Sequence, residues 1–307
     1  MGGKVDVAII GGGPAGLTAA TYLRRFLRSV VVLDAGDSRA RYIPESHNCP
    51  GFPQGVAGTE LLQRMREQAQ GVGAKIIHAH ADGLQRTEDG YTVLAGNDGW
   101  QAAKVILATG LADRLPRGDW AEEAIASGAL RLCAVCDAYE ARDTRIAVYG
   151  PAGSLAGHAR FLRGYARHLA LLPEDGELDP ESAAEMRELD VEIFDPGGRL
   201  AYDGARCIWH APDGTATAFD TVYPYLGYEG RNALVADWGL QAREEGELQV
   251  DSHQQTSRPG LYAIGDVVSG LNQIAVAVGQ AAVAATHAHN ALPLRMRRDE
   301  HLRRGSG

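Results

Sequence analysis

Two thiols and a carboxylate offer this chain its most distinctive chemistry: Cys133-Ala134-Val135-Cys136-Asp137. A Cys-x-x-Cys spacing closes a short, reducible disulfide, and its thiolate is the nucleophile in exchange with another dithiol. Asp137, directly after the second cysteine, is a candidate proton donor or acceptor for the attacking and leaving thiols. Zinc is the rival reading. It needs four ligands, and the remaining candidates are the isolated Cys49, Cys207 and scattered histidines, with no second Cys-x-x-Cys. Redox chemistry is favoured over zinc and over an inert pair. Four cysteines in 307 residues are too few for a disulfide scaffold.

The second chemical signal is Gly11-Gly12-Gly13-Pro14-Ala15-Gly16, a Gly-x-Gly-x-x-Gly between an apolar strand (Lys4 to Ile10) and a helix (Pro14 to Leu27). Gly11 permits the tight turn, Gly13 lets the backbone approach a pyrophosphate, and Gly16 permits close helix–strand packing. The helix N-terminus then faces the anion. Asp34 closes the next strand, 18 residues beyond Gly16, near the ~20 expected of an acid that bonds a ribose. Strand, turn, helix and acid together point to a dinucleotide.

A degraded copy follows at Gly150-Pro151-Ala152-Gly153. Ala152 stands at the second glycine, and its methyl group is expected where a pyrophosphate would lie. Pro173-Glu174-Asp175 follows the next strand. Two carboxylates repel a 2′-phosphate, and that turn carries no arginine to bind one. NADPH is therefore doubtful as a conventional cofactor, and NADH, held by Glu174 or Asp175, is a minority reading.

The elements that must position these groups repeat a strand–glycine–helix–strand plan, first from Lys4 and again from Arg145. Further strands are expected at Lys75 to Ala79, Tyr91 to Ala95, Lys104 to Ala108 and Leu261 to Ile264. Helices are expected at Thr59 to Ala69 and Ile274 to Asn290. The resulting fold class is α/β, with two Rossmann-like (three-layer ββα) nucleotide-binding domains. Composition fits a soluble globular chain: 45% hydrophobic, 22% charged, and a net charge of −9 that disfavours nucleic acid or an anionic membrane as partner. Glycine is abundant, with 38 residues, as tight strand-to-helix turns require. No apolar run reaches the ~18–20 residues of a membrane span, and Asp6 with the glycine cluster breaks any secretion signal. A cytoplasmic location is the expectation.

These motifs, with His47-Asn48-Cys49-Pro50-Gly51-Phe52, Ala108-Thr109-Gly110 and Gly260-Leu261-Tyr262-Ala263-Ile264-Gly265-Asp266 followed by Gln273, occur in the order and spacing of a known family. The chain resembles the low-molecular-weight thioredoxin reductases nearly end to end. That resemblance implies bound FAD, a redox disulfide that reacts with it, and a homodimer. It also implies a pyridine-nucleotide-type domain inserted into the flavin domain, with flavin parts at 1–113 and 247–307 around an insert at 114–246.

The resemblance further implies that Asp266, after Gly265, contacts the ribityl and phosphate region. Gln273 and Ile274 lie near the isoalloxazine, Asn48 sits on the loop beside it, and Ala108, Thr109 and Gly110 belong to the same site. Cys136 faces the flavin, Cys133 is the interchange thiol and Asp137 the acid/base. Electrons pass to or from a thioredoxin-like protein or a small dithiol. The departures at Ala152, at Leu172 to Asp175 and at Asn272, where arginine is common, leave several alternatives open: NAD(P)H, a protein donor such as ferredoxin, reverse running as a dithiol oxidase with oxygen, or a non-catalytic flavin-binding protein.

Other residues read as structural. His78 and His80 alternate on an expected strand as a solvated face rather than a metal site, and His287 and His289 do not share a helix face. Cys49 is expected to be a buried inert thiol rather than a third redox group, and Cys207 a strand-core residue. Arg295, Arg297, Arg298, Arg303 and Arg304 are read as a solvated tail.

Overall fold

A computed structural model describes residues 2–243, 246–268 and 270–296. Arg297, Arg298, Arg303 and Arg304 lie outside the described residues. The first sheet has the order β3(Lys75–His78)–β2(Val30–Asp34)–β1(Lys4–Ile10)–β6(Asp98–Leu107)–β5(Gly90–Ala95)–β4(Gly83–Thr87). β1, β2, β3 and β6 run parallel, and β4–β5–β6 form an antiparallel meander. The long β6 uses its first half to pair β5 and its last residues, Val105 to Leu107, to receive β16(Leu261–Ala263) in parallel. The chain thus leaves this sheet after β6 and returns to it more than 150 residues later.

Between those points lies a second parallel sheet, β10(Glu192–Ile193)–β9(His168–Pro173)–β8(Arg145–Gly150)–β14(Thr221–Pro224). An antiparallel three-stranded sheet, β11(Arg199–Tyr202)–β12(Cys207–His210)–β13(Ala216–Phe219), accompanies it. The outgoing and returning connections pair with each other as β7(Leu111–Asp113) and β15(Tyr228–Gly230). The central parallel strands of both sheets, β1, β2, β8 and β9, are buried along almost all of their length, as parallel strands covered on both faces require.

On one face of the first sheet α1(Pro14–Arg25) packs against α7(Ile274–Asn290), alongside α2(Gly58–Gly71). Ala277, Ala281, Ala284, Ala285 and Ala288 are the buried residues of α7, and these small side chains let the helices approach closely. The expected bounds of α7 hold. α1 stops two residues before the expected Leu27, whose φ of +61° cannot continue a right-handed helix. The second domain's helices are α3(Ala121–Ser127), α4(Ala134–Asp137), α5(Ala152–Leu162) and α6(Pro180–Glu188). One expectation fails: β3 ends at His78, so His80 lies in a loop, and the two histidines do not share a strand.

Candidate redox and dinucleotide site

The fingerprint forms the expected strand–turn–helix. Gly11 has φ +112°, and a Cβ there would lie 2.1 Å from the Ala108 carbonyl oxygen. A Cβ on Gly16 would lie 2.0 Å from the Gly11 carbonyl oxygen, so these two glycines let helix and strands close up. Gly13 differs: an added Cβ would meet only the Ser38 side chain, at 3.1 Å, and the residue faces a cavity of about 1000 Å³. Of the cofactor residues nominated from the sequence, all but Gly16 line this cavity, as do Cys133, Cys136 and Asp137. Asp34 is buried; its carboxylate accepts from the Gly36 N–H (2.9 Å) and pairs with Arg66 (2.6 Å).

Cys133 and Cys136 are joined in a disulfide across the first turn of α4. The pair comes from the inserted segment, yet it touches the first domain through Gln273, the extended residue that caps the N-terminus of α7. The Gln273 amide N–H group donates to both sulfurs, at 3.4 and 3.3 Å. Its carbonyl oxygen accepts from the Asn48 amide at 3.0 Å. Asn48 is in turn placed by the turn-rich loop, where Ser46 and Val56 form an isolated bridge. A relay of two amides therefore carries the disulfide against the α7 N-terminus.

Asp137 is mostly buried. Its carboxylate accepts from the Tyr223 hydroxyl (2.9 Å) and pairs with the Arg131 guanidinium (3.3 Å). Burial pushes its pKa up, and Arg131 and Tyr223 oppose that shift. Asp266 follows Gly265 (φ +74°) and is raised by the same cause, burial, with Arg39 opposing it. Arg39 itself forms a bidentate pair with Asp113 of β7 (2.6 and 2.8 Å) and lies 3.6 Å from Asp266. Arg39, Arg131 and Tyr223 are site residues that sequence reasoning missed.

Cys49 is buried beside Val56 and Leu61, and burial raises its pKa, so it is held as a thiol. Cys207 is fully buried in β12 and pushed up to about 12. Among the described residues no group of three or more His, Cys, Asp or Glu is placed to hold a metal ion.

The cavity fits a dinucleotide on two grounds. The Gly13 turn leaves backbone open to it at the N-terminus of α1. Among the described residues, Thr109 Oγ1 and Asn272 Oδ1 are buried without a hydrogen-bond partner, and both residues line it. Buried polar atoms are normally paired, so two orphans on residues that line one cavity are consistent with a polar ligand there.

The second crevice is different. Ala152 is buried in the first turn of α5. The Glu174 carboxylate acts on the Tyr149 hydroxyl: burial first, and then that carboxylate, push the Tyr149 pKa up to about 12. His158 of α5 stacks on Tyr225 with ring centroids 3.3 Å apart. Arg117, from the connection before α3, acts electrostatically on Tyr149, so a guanidinium does reach this region from another part of the chain.

A family model described as pyridine nucleotide-disulphide oxidoreductase matches residues 5–281. A thioredoxin reductase of Mycolicibacterium smegmatis is 32% identical over 295 residues, covering 92% of this chain and 94% of that protein. Among solved structures, the thioredoxin reductase from Streptococcus pyogenes superposes with a TM-score of 0.84 at 28% identity, covering 94% and 97% of the two chains. An oxidoreductase from Agrobacterium tumefaciens superposes with a TM-score of 0.83 at 26% identity, covering 94% and 98%. No described helix is long and apolar enough to cross a membrane. With this fold, this disulfide and these relatives, the chain belongs to the pyridine nucleotide-disulphide oxidoreductase family, on its low-molecular-weight thioredoxin reductase side, and is a flavin-dependent disulfide oxidoreductase.

Proposed function

We propose that the chain binds FAD in the Gly11–Gly16 cavity and exchanges an electron pair between that cofactor, the Cys133–Cys136 disulfide and a thioredoxin-like protein or small dithiol. The observation that carries this is the seat of the disulfide: both sulfurs accept from Gln273 and line the same cavity as the fingerprint. When bound, FAD supplies the two-electron carrier. Gly11, Gly13, Pro14 and Ala15 would hold its pyrophosphate, Asp34 the ribose, and Asp266 with Arg39 the ribityl and phosphate region. Asn48, Ala108, Thr109, Gly110, Gln273 and Ile274 would surround the ring system. Opening the disulfide takes up two electrons and one proton and leaves one thiol and one thiolate. Cys133 is the thiol that meets the substrate, Cys136 the one facing inward, and Asp137 the group that holds or releases the proton.

In the same reading the flavin domain is built from 1–113 and 247–307 around an insert at 114–246, and the working form is a cytoplasmic homodimer. NADPH is not the conventional donor. The Glu174 carboxylate, where a 2′-phosphate would arrive, and the His158–Tyr225 stack argue against it. A protein donor such as ferredoxin, or oxygen as acceptor for a dithiol oxidase, then completes the cycle. A conventional NAD(P)H-dependent reductase is the second reading, favoured by Arg117, whose charge acts on Tyr149 beside Glu174.

The test is anaerobic absorbance of the flavin-loaded protein. A small dithiol should bleach the yellow band of the wild type, and Cys136→Ser should lose that response. A colourless protein that takes up no FAD, or a variant that bleaches like the wild type, overturns the proposal. Rapid bleaching by NADPH would select the second reading.

A further inference from the structure

Asp137 is held by two side chains from outside its own turn, and neither belongs to any motif visible in the sequence. We propose that Tyr223 and Arg131 are positioning residues that keep Asp137 aimed and ionised as the proton acceptor for thiol–disulfide exchange. This rests on the acid/base reading of Asp137 given above.

The geometry is specific. The Tyr223 hydroxyl donates to one carboxylate oxygen at 2.9 Å, and the Arg131 guanidinium lies 3.3 Å from the other. Tyr223 stands on β14 with 1% exposure, in the apolar cluster that includes Ala134 and Ala138 of the cysteine turn. Core packing therefore fixes its hydroxyl. Arg131 is pinned by its backbone N–H, which donates to the Val222 carbonyl at 2.9 Å, and by its own Nε–H to the Gly128 carbonyl at 3.2 Å. One strand thus anchors both partners: Tyr223 directly, Arg131 through Val222.

The charged and titratable groups facing Asp137 are Arg131 and Tyr223, which favour its ionised form, Glu140, which opposes it, and Tyr225, whose own hydroxyl feels the Asp137 charge. Burial alone disfavours a charged Asp137. A protonated carboxyl cannot take a proton, so the two partners decide whether the group can serve.

The proton balance is simple. A substrate thiol attacks Cys133, an S–S bond forms to substrate, and the Cys133–Cys136 bond breaks with Cys136 leaving as thiolate. The proton of the attacking thiol passes to the Asp137 carboxylate. The second substrate thiol then closes the substrate disulfide and leaves its proton on Cys133. The rate of the first step follows the ionised fraction of Asp137, so it rises with pH through that group's pKa. Loss of either partner raises that pKa and moves the rise upward.

The test is rapid anaerobic mixing of the flavin-loaded protein with excess dithiothreitol, following the bleaching rate against pH. The reagent's own thiol ionisation adds a rise at higher pH, common to all variants. Asp137→Asn should lack the lower limb. Tyr223→Phe and Arg131→Met should each shift it upward by about one pH unit, so that on its rising part they run about tenfold slower. Arg131→Lys should restore most of the wild-type position. FAD content and the circular dichroism spectrum identify any variant that fails to fold, and Tyr223→Phe, which keeps the ring, carries the test in that case. A limb lost in Asp137→Asn but unmoved in Tyr223→Phe and Arg131→Met overturns the positioning role while leaving the acid/base reading intact. A limb that persists in Asp137→Asn refutes that reading and this proposal together.

Discussion

Gly13→Ala separates binding from folding. Gly13 has an extended backbone (φ −78°, ψ −175°) that alanine adopts freely, and its new Cβ would meet only the Ser38 hydroxyl, at 3.1 Å. A side-chain rotation relieves that contact. The weaker helix-capping of alanine is offset by a less flexible unfolded chain, so stability should change by no more than about 1 kcal/mol. The methyl group, however, enters the cavity where backbone must approach the pyrophosphate. Losing one hydrogen bond to a charged group is worth about 1.5–3 kcal/mol, or roughly 10- to 100-fold in FAD affinity.

Gly16→Ala is the control. Its Cβ would lie 2.0 Å from the Gly11 carbonyl oxygen, a backbone atom with no room to yield, and 3.3 Å from the Ala108 methyl group. Forcing α1 off the sheet should cost about 1–3 kcal/mol or more. The assays are urea unfolding and fluorescence-quenching titration of the flavin-stripped protein with FAD. Unchanged FAD affinity in Gly13→Ala, or unfolding as severe as in Gly16→Ala, refutes the assignment of this turn as the pyrophosphate cradle.

Two further substitutions probe the surrounding scaffold. Arg39→Gln leaves Asp113 and Asp266 without their shared guanidinium and should weaken FAD binding by about tenfold or more. Burial already raises the pKa of Asp266, and loss of Arg39 raises it further; protonation then relieves the repulsion, so the defect should shrink as pH is lowered. A defect independent of pH would contradict this. Arg28 is 4% exposed and donates to His289 Nδ1 and to the carbonyls of His289, Leu292 and Pro293, closing the C-terminal end of α7. Arg28→Ala should lower stability by about 2–4 kcal/mol in urea unfolding with FAD affinity nearly unchanged, and a loss below about 0.5 kcal/mol would contradict the role.

What was legible in the sequence was local. Gly11 to Gly16 announces its own strand and helix, because each glycine answers a steric demand within a few residues. The α7 bounds follow from a run dominated by alanine and valine, with Gly279 and Gln280 inside it. The Cys-x-x-Cys spacing is a statement about one turn, which the structure closes as a disulfide. The residues missed act across long separations. Tyr223 meets Asp137 from 86 residues away, and Arg39 meets Asp113 from 74 residues away; no periodicity encodes such a pairing. Ala152 shows the limit from the other side. The motif gives its place in the chain, but its burial in the first turn of α5 is set by packing. Arg117 likewise reaches the second crevice from a connection that the motif does not contain.

The account depends on the disulfide and the flavin acting as one electron store within a single chain. Anaerobic titration of the flavin-loaded protein with dithionite counts that store. The wild type should take up two electron pairs per chain before its absorbance stops changing, and the Cys133→Ser, Cys136→Ser double variant only one. An identical single-pair endpoint in both proteins would contradict it.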